Sequence, residues 1–402
     1  MTPSRLSQAF SNVGHSYSHI MMLLYPTAVI ALESEMGMSY GELLVLMTLG
    51  NVLFGVAALP AGWLGDRWST LGMMVVFFIG IGLSTILTGL MSSPFGLVVG
   101  LALIGLFGSI YHPVGMAWLV RTAPNRGKAL GLNGVFGSLG LASAALIAGT
   151  LTDAINWRAA FIIPGVVAVL TGLALAWCIR VGRVTDAITE PVSPKPAPHR
   201  NAMMRAFIAL SITMLCTGLI YQSMATALPK IFAERVSGLT GGTPAGAGIL
   251  ASLVYFAAMG AQLLGGHLAD RHSMRNVYLL VFAVQAPLLF LAAYLTSVPI
   301  FAVITGTVLL STMAIPVENS LLSHYSPDKW RGTAFGAKFV LALGVSALGV
   351  PLVAVIHGLT GEFYWYFVSM AMFATTIAIV SFSLLPQDKA EPLAEPAVTV
   401  DR

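Results

Sequence analysis

One charged turn occurs twice in this 402-residue chain. Gly62-Trp63-Leu64-Gly65-Asp66-Arg67 is answered by Gly266-His267-Leu268-Ala269-Asp270-Arg271, with both the glycines (266 − 62) and the aspartates (270 − 66) 204 positions apart. A second pair, Arg126-Gly127-Lys128-Ala129-Leu130-Gly131 and Arg331-Gly332-Thr333-Ala334-Phe335-Gly336, repeats at 331 − 126 = 205. An offset near half the chain length, in parallel order, divides the chain into two similar halves. Each turn lies between long apolar stretches. In a membrane protein, such a duplication predicts two bundles that rock about a shared cavity.

The solvent of those bundles follows from composition. Charged residues make up 9% of the chain and hydrophobic ones 57%, with a mean hydropathy of +0.85. A soluble fold of this size could not bury that much apolar surface, so lipid is the expected surroundings. A bilayer core needs roughly 20 helical residues. Twelve such spans are predicted, near 10–32, 41–63, 71–91, 95–119, 128–151 and 158–179, then 205–232, 245–268, 276–296, 299–323, 332–357 and 363–385. The fold class is therefore all-α integral membrane, with twelve transmembrane helices in two pseudo-symmetric six-helix bundles. Residues 1–180 form the first bundle and 205–386 the second. The Pro-rich stretch 181–204 is a cytoplasmic linker, and 387–402 a cytoplasmic tail.

With the N-terminus inside, the 20 Lys and Arg fall on the inner side except Arg158, Lys230 and Arg235 outside and Lys338 within a span. That asymmetry places both termini in the cytoplasm of a cell whose inner (plasma) membrane holds the protein. The basic residues sit in short turns rather than one patch, which argues against nucleic acid as a partner. Cys178 and Cys216 fall in or beside apolar spans and suggest no disulfide framework; no metal-ligand spacing is present. No cleavable signal pattern is evident at the N-terminus.

Polar groups inside spans are costly, so their positions are informative. The first span holds His15, Tyr17 and His19, the fourth Tyr111 and His112, the seventh Tyr221 and Gln222, and the tenth Glu318 and Asn319. Polarity recurs on every third span, as expected if spans 1, 4, 7 and 10 line a wet cavity. His15 and His19, at i and i+4, share one face and suit a site that takes up and releases a proton. The alternative is a histidine that only satisfies a neighbouring backbone group. His112 precedes Pro113, which frees a carbonyl in the fourth span; the histidine either answers that defect or serves solute or proton. Glu318 and Lys338, on sequential spans, are placed to pair, as a static ion pair or as groups engaged in one conformation. Gly131, Gly134, Gly137 and Gly140 form a row of small residues that lets another helix approach closely.

The twelve spans, the half-length repeat and the Gly-x-Leu-x-Asp-Arg turn resemble the major facilitator superfamily. The resemblance implies that the turn is an inner-side latch, with Gly62, Asp66 and Arg67 in one copy and Gly266, Asp270 and Arg271 in the other. Each Asp would then face a helix N-terminus of the opposite half, where negative charge is stabilised. Within that superfamily, His19 and Tyr111-His112-Pro113 resemble the fosmidomycin-resistance-type exporters. The chain departs from them at Met21-Met22-Leu23 and at Val114-Gly115.

The expected function is secondary active transport of a small organic solute across the inner membrane by alternating access, as proton-coupled efflux. An importer or facilitator on the same scaffold is the first alternative, and a membrane-embedded sensor or enzyme the second. No nucleotide-binding loop, nucleophile cluster or cofactor motif points to an enzyme or an ATP-driven pump. A small-molecule substrate, protons and lipid are the expected partners of a monomer, with no cofactor and no metal.

Overall fold

A computed structural model describes residues 2–123, 126–186, 200–326, 337–338 and 340–386. The described residues are helical and contain no strand. In chain order the long helices are α1 Pro3–Met36, α2 Tyr40–Arg67, α3 Thr70–Leu90, α4 Pro94–Thr122, α5 Arg126–Ala154 and α6 Ala159–Arg180. The second half has α7 Arg200–Arg235, α8 Pro244–Arg271, α9 Met274–Ala292, α10 Ser297–Tyr325, α11 Val340–Thr360 and α12 Tyr364–Ser383. Eleven of them are long and apolar enough to cross a membrane. The twelfth, α1, is 34 residues long but buries a run of Ser7, Ser11, Asn12, Ser16 and Ser18, which lowers its hydropathy. The protein is a multi-pass, twelve-helix membrane protein.

The starts of these helices follow from their flanking residues. Ser69, Ser93 and Thr243 each accept a hydrogen bond from the backbone N–H three residues on, capping α3, α4 and α8. Pro94 and Pro244 stand in the first turn, where the missing N–H is no loss. Helix α7 starts at Arg200, inside the stretch expected to be linker, so the helix begins earlier than the apolar pattern alone indicates.

The duplication appears in the packing. Helix α3 pairs with α6, and α9 with α12; α2 packs on α4, and α8 on α10. Pro113 of α4 and Pro316 of α10 correspond at 316 − 113 = 203. Proline lacks the donor for an i→i−4 bond. At Pro113 the helix takes a π-turn over Tyr111–Gly115, whereas around Pro316 it stays α-helical. Large apolar side chains point outward, as lipid contact requires: Phe95 is 78% exposed and Leu359 82%. On α6 the exposed residues Ile163, Val166, Leu170, Leu173 and Trp177 fall on one helical face, which is the face left to lipid.

The start of α1, residue 185, the start of α7 and the end of α12 share one end of the bundle, here called the terminal end, where Ser7 bonds Thr185 and Arg205 bonds Ser383. The halves join at the opposite, far end and in the middle. Gly149 of α5 and Gly248 of α8 let the two backbones touch: a Cβ on Gly149 would stand 2.3 Å from the Pro244 carbonyl, and one on Gly248 2.2 Å from that of Ala145.

Candidate functional site

Midway along the first half, three imidazoles converge. His15 and His19 project from one face of α1, and His112 comes from the π-turn of α4. Ring centroids are 5.1 Å apart for His15–His19, 5.4 Å for His15–His112 and 5.6 Å for His19–His112. Tyr111 stacks on His15 at 5.0 Å, and Phe54 of α2 meets His112 edge-on at 5.7 Å. The glycine row explains how the rings fit. A Cβ on Gly137 would lie 2.5 Å from His15 Cε1, and one on Gly140 3.1 Å from His19 Cβ. The row divides its work: Gly134 faces Gln262 of the other half, and Gly131 faces open space.

Behind the histidines lies a hydrogen-bonded floor that the spacing of His15 and His19 did not reveal. Asn133 of α5 donates from Nδ2 to Asn12 Oδ1 (2.9 Å) and to the Tyr111 hydroxyl (2.7 Å). The Asn133 carbonyl lies 2.7 Å from His15 Nδ1. A carbonyl only accepts, so Nδ1 carries the proton and Nε2 keeps its lone pair. Ser11 donates to the Gly115 carbonyl at 2.9 Å, tying α1 to the π-turn of α4. Tyr17 is a correction to the sequence expectation. Its ring packs on Phe78 and its hydroxyl meets Thr171 at 3.2 Å, in the seam of α3 and α6 and away from the histidines. Two positions from His15 and two from His19, it is rotated by about 200° to the opposite face of α1.

The second half supplies a charged counterpart. Lys338 Nζ lies 2.7 Å from Glu318 Oε1 and donates to Asn319 Oδ1 at 2.6 Å. The other carboxylate oxygen accepts from Tyr278 of α9 at 2.6 Å and from Thr217 of α7 at 3.1 Å. Glu318 and Lys338 are both buried, and each carries several bonds, which a buried ion pair needs to offset desolvation. Tyr278 and Thr217 lie near span ends or among ordinary helical threonines, so no polarity signal marked them. Tyr221 is half-buried against the core of the second half. Gln222 donates to Asn51 Oδ1 of α2 at 3.0 Å, joining the halves at mid-depth.

Two rings of contacts bear on gating. At the far end Lys230 pairs with Glu33 of the other half and, at 3.4 Å, with Glu234. His357 meets Glu234 at 3.1 Å, and Lys230 sits over the Tyr40 ring at 5.3 Å. Asp153 at the end of α5 accepts from the Ala245 N–H, in the first turn of α8, at 3.1 Å. A carboxylate of one half thus satisfies an orphan donor of the other. At the terminal end Asp66, Arg67, Asp270 and Arg271 are exposed, and Arg67 lies over Trp63 at 4.8 Å. Gly62 makes room for Pro113 (3.1 Å to an added Cβ), while Gly266 faces open space. The Arg331–Gly336 turn lies outside the described residues, as does much of the linker and the tail.

Two similar six-helix halves, joined at one end and holding buried polar clusters at mid-depth, define a membrane transporter rather than an enzyme. The chain belongs to the Major Facilitator Superfamily, whose family profile matches residues 13–243 and 210–400. The puromycin resistance protein of Streptomyces alboniger is 29% identical over 164 residues, which cover 40% of this chain and 33% of that protein. A probable sulfoacetate transporter of Cupriavidus necator is 24% identical over 376 residues, 84% of this chain and 86% of the relative. Among solved structures, a peptide transporter in complex with sulfate superposes with a TM-score of 0.75 at 16% identity, covering 96% of this chain and 94% of that one. A bacterial homolog of the human lysosomal transporter Spinster, inward-facing and unoccupied, gives 0.70 at 13% identity, covering 95% and 94%. At such identities the structural likeness carries the fold alone.

Proposed function

We propose that this protein is a secondary transporter of the inner membrane that exports a small organic solute by alternating access, driven by the proton gradient. The observation that carries the reading is the pairing of two polar clusters at mid-depth. His15, His19 and His112 stand in one half; Glu318, Lys338 and Asn319 stand in the other. Histidine is the side chain whose ordinary titration, near pH 6.5, spans the pH difference across such a membrane. A carboxylate held by a cation, a phenol and a hydroxyl is a group that a charged solute can compete for. Export on the fosmidomycin-resistance-type pattern is the narrower form of this reading. It is supported by His19 and Tyr111-His112-Pro113. The sulfoacetate relative, which aligns along most of its length, favours an anionic solute.

Alternating access needs interactions that close each end in turn. Asp153 against the first turn of α8 and the Lys230–Glu33 pair serve the far end, which faces outward when both termini are cytoplasmic. Asp66 and Asp270 serve the terminal end, latching when that end closes. The protein works as a monomer, since each chain contains both halves of the site.

Counterflow in proteoliposomes tests the proposal, using sulfoacetate, puromycin, nitrite and a panel of small organic anions, with and without a pH gradient. Solute exchange that quickens with the gradient in the wild type, and loses that dependence in His19→Gln or His112→Gln, is the expected result. Exchange that ignores the gradient replaces proton-coupled export with a facilitator. Full gradient-driven exchange in both variants removes the histidines from the coupling and leaves Glu318.

A further inference from the structure

We propose that His15, His19 and His112 form a binding site for one divalent transition-metal ion of the zinc type. The three residues each offer one ring nitrogen, and these nitrogens lie within 4.8 Å of one another. Zinc–imidazole bonds of about 2.0–2.1 Å put tetrahedral ligand nitrogens about 3.3 Å apart. The nitrogens therefore approach one another by up to about 1.5 Å on binding, a motion within side-chain rotation for His15 and His19, which are half-buried on the wall of the site.

The surroundings match a ligand set. A metal-bound histidine commonly gives its second N–H to a carbonyl, which fixes the tautomer and aims the other nitrogen. His15 has that arrangement with the Asn133 carbonyl at 2.7 Å, and Tyr111 stacked on the ring holds its plane. Asn133 is itself tied down by Asn12 and Tyr111. Three imidazoles about 5 Å apart cannot all take protons without like-charge repulsion, whereas one dication uses a lone pair from each. Imidazole selects Zn²⁺, Ni²⁺, Co²⁺ and Cu²⁺ over Mg²⁺ and Ca²⁺. Three protein nitrogens leave a fourth position for water or solute.

All three ligands lie in one half. Binding therefore requires no contact between halves and does not depend on which way the transporter faces. A bound ion and a coupling proton would compete for the same imidazole lone pairs, so metal binding is read directly by titration and not through proton-driven transport. Such a site departs from the expectation of no metal: the third ligand would come from a helix about 95 positions along the chain, where no spacing rule links it to the first two.

The test uses full-length protein in detergent, purified on a tag without histidine and stripped with chelator. Calorimetric titration with Zn²⁺, and visible absorption on titration with Co²⁺, are expected to saturate at one ion per chain. The Co²⁺ complex is expected to show the intense bands of a tetrahedral site. His15→Ala, His19→Ala and His112→Ala are each expected to weaken binding at least tenfold, with His272→Ala unchanged. Where an alanine variant fails to fold, X-ray absorption on the Zn²⁺-loaded wild type decides by counting imidazole ligands, three being expected. No saturable binding, binding unaffected by the triad variants, or a zinc shell without three imidazoles overturns the proposal.

Discussion

Glu318 shows how far single residues can be inferred from sequence. A lone carboxylate mid-span called for a cation, and Lys338 on the next helix was the one ammonium at that depth. The structure sets them 2.7 Å apart. The sequence did not indicate Tyr278, because a tyrosine on a helix otherwise facing lipid carries no mark of its hydroxyl's partner. Removing one member of a buried pair leaves an uncompensated charge, at about 3–5 kcal/mol. Glu318→Gln and Lys338→Met are each expected to lower thermal stability in detergent by that order, and the double variant to recover most of the loss. Additive losses would show that the two side chains stabilise the fold separately. Tyr17 illustrates the limit from the other side: its residue type and depth suggested the cavity, but the helical period turned it into the α3–α6 seam. Polarity locates a depth in the membrane; only the helix phase and its neighbours locate a face.

At the scale of helices, the boundaries were mostly legible because apolar runs, Ser and Thr caps and first-turn prolines agree. Helices α1 and α7 were exceptions: both begin earlier than expected, at Pro3 and Arg200, because their first turns carry polar residues that the apolar pattern does not count. The gating contacts were only half legible. A repeated Asp-bearing turn pointed to carboxylates facing helix N-termini across the halves at the terminal end. The structure shows such a contact at the far end instead, from Asp153 to the first turn of α8. No motif repeats there to announce it. If the two ends are closed by opposing carboxylates, their variants act in opposite directions. Asp153→Asn is expected to favour opening of the far end, and Asp66→Asn opening of the terminal end. Each shift is about 0.3–1 kcal/mol for an exposed charge at a helix terminus, roughly two- to fivefold in population. Cysteine accessibility from each side of the membrane reads both. Shifts in the same direction would remove the latch assignment.

For the whole molecule, two halves were inferred from an offset of 204 in a short turn, and the equivalent pairs α3–α6 and α9–α12 give the same division. What the sequence could not supply was the relative placement of the halves, because the contacts that set it are backbone approaches at Gly149 and Gly248 and scattered polar pairs. In the conformation described, the halves meet at the far end and in the middle, while Gly131 and Gly266 face open space toward the terminal end. Transport by alternating access requires the opposite arrangement as well. The most direct measurement is a pair of distances by electron spin resonance, in protein with Cys178 and Cys216 replaced. One spin-label pair sits on exposed Ile155 and Leu239 at the far end, and the other on Trp68 and His272 at the terminal end. On changing pH or adding a counterflow-active solute, the account predicts two populations at each end. The far-end distance lengthens in the population whose terminal-end distance shortens. A far-end distance that stays single and short, under conditions where the labelled protein still exchanges solute, would contradict it.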